Sequence, residues 1–207
     1  MNAIPSIQKV GGMAAFANAG VALATLAVAV FLIGPSAIAD PNKLIDLATR
    51  NPTPLLIQDG LKVSSAVISA LLVVAFTSYL RRENLAVIAV AAGFGFLAIF
   101  CLLGNAVLSF YGIFQMAVNG EAIAAVPQLN RMIGILAMTA IFLDGVWLLL
   151  VNGIALKSQQ LPRSLCYLGL AMGVLSLVPP LGIIVLLMGL IWSVWVGRVL
   201  LATAPDS

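Results

Sequence analysis

Long apolar runs alternate with short stretches that gather most of the polar and charged residues of this chain. A helix needs about 20 consecutive apolar residues, with a range of about 17 to 25, to cross the hydrocarbon of a bilayer. Six stretches fit or nearly fit that length: Gly11 to Gly34, Leu55 to Leu80, Leu85 to Phe114, Leu129 to Ala155, Pro162 to Leu177 and Leu181 to Ala202. The fifth is short. The segment Val178-Pro179-Pro180-Leu181-Gly182 divides the last two, because paired prolines followed by glycine favour a hairpin over a continuous helix. Left undivided, they would form a helix of about 40 residues, about 60 Å long and twice the hydrocarbon thickness.

Composition agrees with that pattern. Of 207 residues, 62% are hydrophobic and 8% charged, and the mean hydropathy is +1.15. Soluble domains carry about 25% charged residues, so a water-soluble fold could not hide this much apolar surface. The expected fold is an all-α integral membrane bundle of six transmembrane helices with short outer-face helices, one membrane domain over residues 1–207. The chain has no histidine, which excludes His-ligated haem, His-bound zinc and His-based catalysis. Its two cysteines, Cys101 and Cys166, lie inside apolar runs and suggest no disulfide framework.

A net charge of +3 would point to nucleic acid only if the basic residues clustered on a soluble face. Here they lie between the apolar runs and report topology instead. With six crossings, Lys9, Arg81, Arg82, Lys157, Arg163 and Arg198 fall on one side, and Lys43, Arg50, Lys62 and Arg131 on the other. Basic residues favour the cytoplasmic side, which predicts a bacterial plasma membrane protein with both termini cytoplasmic. Trp192 and Trp195, near Arg198, read as an interfacial anchor of the last helix. Ala37-Ile38-Ala39 resembles a small-residue cleavage site, but the preceding apolar stretch is longer than a signal peptide's core, so the first helix is expected to be retained.

The outer loops carry structure of their own. Asp40-Pro41 is a good helix start, and Leu44, Leu47 and Ala48 share one face before Asn51-Pro52 ends it. Asn119 to Val126 is expected to form a second short helix stopped by Pro127. Asp59-Gly60 and Asp144-Gly145 fall in the second and fourth helices, which do not correspond in a 3+3 repeat, so no transporter-type internal symmetry appears.

Chemistry centres on Asp144, a lone carboxylate in the apolar run AIFLDGVWLLL. An ionised Asp at the bilayer centre costs about 2.5–3.5 kcal/mol even on the lenient insertion scale, so it must face protein. Ala137 and Ala140 share its face, with Asn152 two turns on, and small residues there admit a neighbouring helix. Matching small or polar stripes occur at Ala98, Cys101, Asn105 and Ser109, and at Gly11, Ala14, Asn18, Ala22 and Thr25. Ser65 and Ser69 lie one turn apart in the second helix, and Gly169 and Gly173 form a small-xxx-small element in the fifth. The expected intramembrane polar cluster is therefore Asp144, Asn105, Ser69 and Asn18. Lys62 is the nearest cation by topology, but its stem is expected to snorkel outward. Asp144 is then expected to be neutral or hydrogen-bonded to Ser or Asn, as interhelical glue before any catalytic role. Asp59, Lys62, Glu121 and Arg131 form a set of outer-face charges, with Asp59 and Lys62 expected to pair locally.

No GxSxG, HExxH, GxxxxGK[ST], CxxC or paired intraspan carboxylates occur, so no enzyme chemistry and no metal site is expected. Three segments carry a resemblance: ADPNKLIDLATRNPTPLL, YLRRENLAVIAVAAGF and KSQQLPRSLCYLGLAMGV. They resemble the outer loop, the tight inner turn and the Leu-Pro-Arg lead-in of a bacterial family of six-span membrane proteins catalogued only as a domain of unknown function. The resemblance implies a fold and topology and supplies no reaction. The expected role is a non-enzymatic accessory or scaffolding subunit, whose partners are the lipid bilayer and other membrane subunits or further copies of itself, with no nucleic acid. The alternatives are a carrier or channel for protons or a small apolar molecule built on Asp144, and a pigment- or lipid-binding subunit.

Overall fold

The computed structural model describes residues 4–81, 85–119, 127–178 and 181–203. Each apolar run becomes a helix, because in a medium without water the backbone must satisfy its own hydrogen bonds. The helices are α1 (Ile4–Ala27), α2 (Pro35–Ala39), α3 (Pro41–Arg50), α4 (Thr53–Tyr79), α5 (Leu85–Asn119), α6 (Pro127–Ser158), α7 (Arg163–Ser176) and α8 (Gly182–Ala202). The end of α1 widens into a π-helix over Val28–Ile33, and Gly34, at φ 86°, turns the chain into α2. That left-handed value is open to glycine because it has no Cβ. Proline begins both short helices, where its missing N–H would have no partner anyway.

Five helices are long and apolar enough to cross a membrane: α1 with its π extension, α4, α5, α6 and α8. α7 has 14 residues, about 21 Å of rise. Two boundaries differ from expectation. Asn119 is the last residue of α5, and Pro127 opens α6 instead of closing a loop helix; residues 120–126 lie outside the described residues. α3 starts at Pro41 and stops before Asn51 as its flanking residues predict, with Ala48 buried and Leu44 exposed.

In contact order the six longest helices form a ring, α1–α4–α5–α6–α7–α8 and back to α1. Neighbours run antiparallel, as close approaches at glycine show. A Cβ on Gly95 would stand 2.7 Å from Val73 and 3.0 Å from Trp147, so α5 meets α4 and α6 at one level. Gly12 lies against Leu201 and Gly197 against Phe16, joining α1 to α8. Gly145 faces Ser176 and the Gly173 carbonyl, while Gly169 faces Asn152, so α7 covers α6 only from Gly145 onward. The earlier half of α6 runs past the end of α7. One consequence is that the α1 N-terminus and the α8 C-terminus share an end of the bundle. Lys9, Arg81, Lys157, Arg163 and Arg198 gather at that end, and Lys43, Arg50 and Arg131 toward the other.

The core is densest in the half that α7 covers. Phe76, Trp147 and Trp192 form an aromatic cluster, with Phe76 stacked on Trp192 at 5.6 Å and edge-on to Trp147 at 5.9 Å. Trp192 is therefore a core residue and not an interfacial anchor; only Trp195 reaches the surface. Its position follows from the buried i, i+4, i+8 stripe Trp192, Val196 and Leu200. Outward, the pattern of a water-soluble domain is inverted. Phe31, Phe100, Met13 and Phe114 are 82%, 68%, 66% and 64% exposed. A surface this apolar is stable against acyl chains and not in water. The chain is a multi-pass membrane protein.

Candidate intramembrane site

Two polar layers lie inside the bundle at different depths. The outer one begins with Asp59 and Lys62, one turn apart on α4. Lys62 Nζ donates to Asp59 Oδ1 at 2.6 Å and to Asn105 Oδ1 on α5 at 2.9 Å. Asn105 Nδ2 donates in turn to the Ile133 carbonyl of α6 at 2.8 Å. Asp59 and Asn105 are 3% and 2% exposed. Lys62 does not snorkel away; it bends inward and stitches three helices together. The pairing with Asp59 follows from i, i+3 spacing. The bond to Asn105 was not foreseeable, because spacing along one helix says nothing about register with the next. Gln58, one turn before Lys62, buries its Oε1 without a hydrogen-bond partner among the described residues.

The second layer contains Asp144. Lys62, Asn105 and Ile133 mark one level across α4, α5 and α6, and Val73, Gly95 and Trp147 mark a deeper one. Ser69 and Asp144 both lie between these levels, each about one turn before the deeper residue. On α1, Gly11 opposes Ala75, and two turns along stands Asn18, level with Ser69. Asn18 Nδ2 donates to Ser193 Oγ of α8 at 3.0 Å. Asn18, Ser69, Asp144 and Ser193 therefore share a depth, while Asn105 belongs to the outer layer, about 10 Å away at 1.5 Å per residue.

Asp144 falls on the buried stripe of α6 formed by Ala140, Trp147 and Val151. Its side is turned inward, yet it is only half-buried and makes no hydrogen bond or ion pair with the described residues. The reason lies next door: α7 ends against Gly145, so Asp144 sits where the ring loses one wall. Ser69 also forms no hydrogen bond among the described residues. The expected set of four is thus not one hydrogen-bonded cluster. Three members share a level and the fourth binds Lys62.

Below this layer the aromatic cluster forms a floor, secured by Asn152. Asn152 is fully buried, donates to the Leu148 carbonyl at 2.8 Å and accepts from Trp192 Nε1 at 3.4 Å. A cavity of ≈ 10 Å³ beside Phe76, Trp147 and Val151 has room for about one water. Ser193 and Trp192 were missed as site residues; a polar residue beside the buried stripe of α8 is the signal that finds Ser193. Of the outer-face charges, Arg131 is exposed near the start of α6, and Glu121 lies outside the described residues. No group of three or more His, Cys, Asp or Glu side chains able to hold a metal occurs among the described residues. No family model matches the chain, and no curated protein or solved structure is significantly similar to it.

Proposed function

We propose that this protein is a non-enzymatic accessory subunit that docks against other helices in a bacterial plasma membrane, crossing it six times with both termini cytoplasmic. The observation that carries the reading is a set of glycines with nothing against them. Gly20, Gly93, Gly134 and Gly153 sit inside helices α1, α5 and α6 with no other group within 4 Å of where a Cβ would be. Each costs a helix about 1 kcal/mol relative to alanine. Inside the bundle, glycines at 12, 95, 145, 173 and 197 are used for close helix contact. Outward glycines offer the same close approach to helices of another chain.

Parity supports six crossings. Five helices are long enough to span, and both ends of the ring meet at one end of the bundle, a placement that a crossing by the short α7 with its turn accounts for. The basic residues gathered at that end favour a cytoplasmic location. The six-span family that the loop segments resemble fits the same count. Extraction in a mild detergent tests the role. The protein is expected in an assembly heavier than one 21.5 kDa chain, dispersed by Gly20→Leu or Gly134→Leu without loss of fold. Recovery of the unaltered protein as a lone monomer of full thermal stability would contradict it.

A further inference from the structure

Charge is divided unevenly between the two ends of the bundle. The segments at the end away from α8's last residue contain Lys43, Arg50, Lys62 and Arg131, matched by Asp40, Asp46, Asp59 and Glu121. Arg50 bonds Asp46 at 2.7 Å and Lys62 bonds Asp59 at 2.6 Å, so this end neutralises itself. The segments of the other end contain Lys9, Arg81, Arg82, Lys157, Arg163 and Arg198 against two acids, Glu83 and Asp206. Most of that positive charge is left uncompensated. Arg81, Lys157, Arg163 and Arg198 are exposed and form no ion pair with the described residues.

Contacts between helices tie these positions into one rim. The Tyr79 hydroxyl donates to the Gln160 carbonyl at 2.9 Å, which holds the end of α4, beside Arg81, to the turn between Lys157 and Arg163. Gly11 of α1 fits between Ala75 of α4 and Leu200 of α8, which brings in Arg198. Asn152 meets both Gly169 of α7 and Trp192 of α8, and Arg163 and Arg198 each lie about 9 Å farther toward this end. On both helices an exposed aromatic residue with a polar edge stands one turn deeper than the arginine. Tyr167, 60% exposed, follows Arg163, and Trp195, 37% exposed, precedes Arg198. Trp195 and Arg198 also continue the exposed stripe of Ile184, Leu187 and Ile191. Such aromatic rings collect where acyl chains give way to headgroups. The arginines therefore extend the surface that meets lipid, which favours a lipid partner over an acidic protein segment arriving from water.

We propose that this rim binds anionic phospholipids, with Arg163 and Tyr167 on α7 and Arg198 and Trp195 on α8 as two seats for the lipid phosphate. A membrane surface presents its phosphates in a plane, so outward cations at one level suffice and no pocket is required. At each seat the guanidinium donates its forked N–H groups to phosphate oxygens. The phenol hydroxyl or indole N–H one turn deeper is placed to donate to the ester oxygens of the same lipid. A zwitterionic lipid carries the same phosphate with its charge offset by its own ammonium, so the seats select lipids of net negative charge. The inference goes beyond the assembly reading and depends neither on it nor on which end of the bundle is cytoplasmic.

The test gives the full chain, in a nonionic detergent, equal amounts of phosphatidylglycerol and phosphatidylcholine with the same acyl chains, and counts bound lipid per chain by native mass spectrometry. Phosphatidylglycerol is expected to be preferred roughly fivefold, the attraction of about one basic side chain to an anionic surface. The double variant Arg163→Gln with Arg198→Gln should bring the two lipids to near-equal binding. Arg163→Lys with Arg198→Lys, which keeps the charge, should retain most of the preference. Arg131→Gln, an exposed position at the neutral end, should leave it unchanged, with thermal stability reporting that each variant keeps the fold. Free glycerol phosphate and polyglutamate should not displace the lipid. Equal binding of the two lipids by the native chain, an unaltered preference in the double Gln variant, or an equal loss in Arg131→Gln would overturn the assignment. Displacement by glycerol phosphate would make the rim a site for soluble anions, and displacement by polyglutamate a site for an acidic protein segment; either result also overturns it. Every readout is a ratio of lipids per chain, so failure here is distinguishable from failure of the assembly reading.

Discussion

Replacing Lys62 by methionine keeps the length and volume of the side chain and removes its charge. In the structure this leaves Asp59, 3% exposed, without the cation 2.6 Å away, and Asn105 Oδ1 without its donor at 2.9 Å. Breaking a buried ion pair from one side costs about 3–5 kcal/mol. The Lys62 side chain keeps 29% of its exposure, so the expected loss is reduced to about 2–4 kcal/mol. For a chain of this size that corresponds to a fall in Tm on the order of 5–15 °C. The double variant Lys62→Met with Asp59→Leu removes both charges together, and buried pairs replaced by apolar residues are often neutral or better. It should recover to within about 1 kcal/mol of the parent. Unfolding in mixed micelles of increasing SDS fraction, followed by tryptophan fluorescence, gives the three stabilities. If Lys62→Met unfolds at the same point as the double variant and the parent, Lys62 is solvated at the membrane surface and the three-helix stitch does not exist.

The same titration checks two further expectations. Gly169→Leu would drive a side chain into the carboxamide of Asn152, and overpacking at that contact should cost about 1–3 kcal/mol, with more lost if Asn152 gives up its bonds to Leu148 and Trp192; parental stability would mean that α7 does not pack there. Trp192→Phe should cost about 1 kcal/mol through the missing indole donor and lower the buried part of the fluorescence, leaving the share of Trp147. Trp195→Phe, at a residue 37% exposed, should do neither, and a reversal of the two would restore Trp192 to the interface.

The stripes of small residues were legible because helical period is a property of one segment alone. Gly11, Ala14, Ala98, Asn105, Gly169 and Gly173 all lie on buried faces, as their spacing of three and four predicts. Helix starts were legible where the local chemistry is strong, as at Pro41. Pro127 shows the limit: proline both ends and begins helices, and only the length of the apolar run beyond it decides between the two. Trp192 was misplaced because its neighbour Arg198 suggested an interface, while the stronger signal was its stripe with Val196 and Leu200. What no spacing reveals is register between helices. That register puts Lys62 on Asn105, levels Asp144 with Ser69 and Asn18, and ends α7 at Gly145, so the candidate site emerged only once the helices were set side by side.

A closed ring of antiparallel helices in which α7, though short, carries the chain across stands or falls on the side of the membrane reached at residue 178. Fusions of alkaline phosphatase and of green fluorescent protein after residues 160, 178 and 207 read that side in living bacteria. Phosphatase activity at 178 with fluorescence at 160 and 207 is the predicted pattern. Fluorescence at 178, or phosphatase activity at 207, would show that the chain does not complete the ring across the membrane.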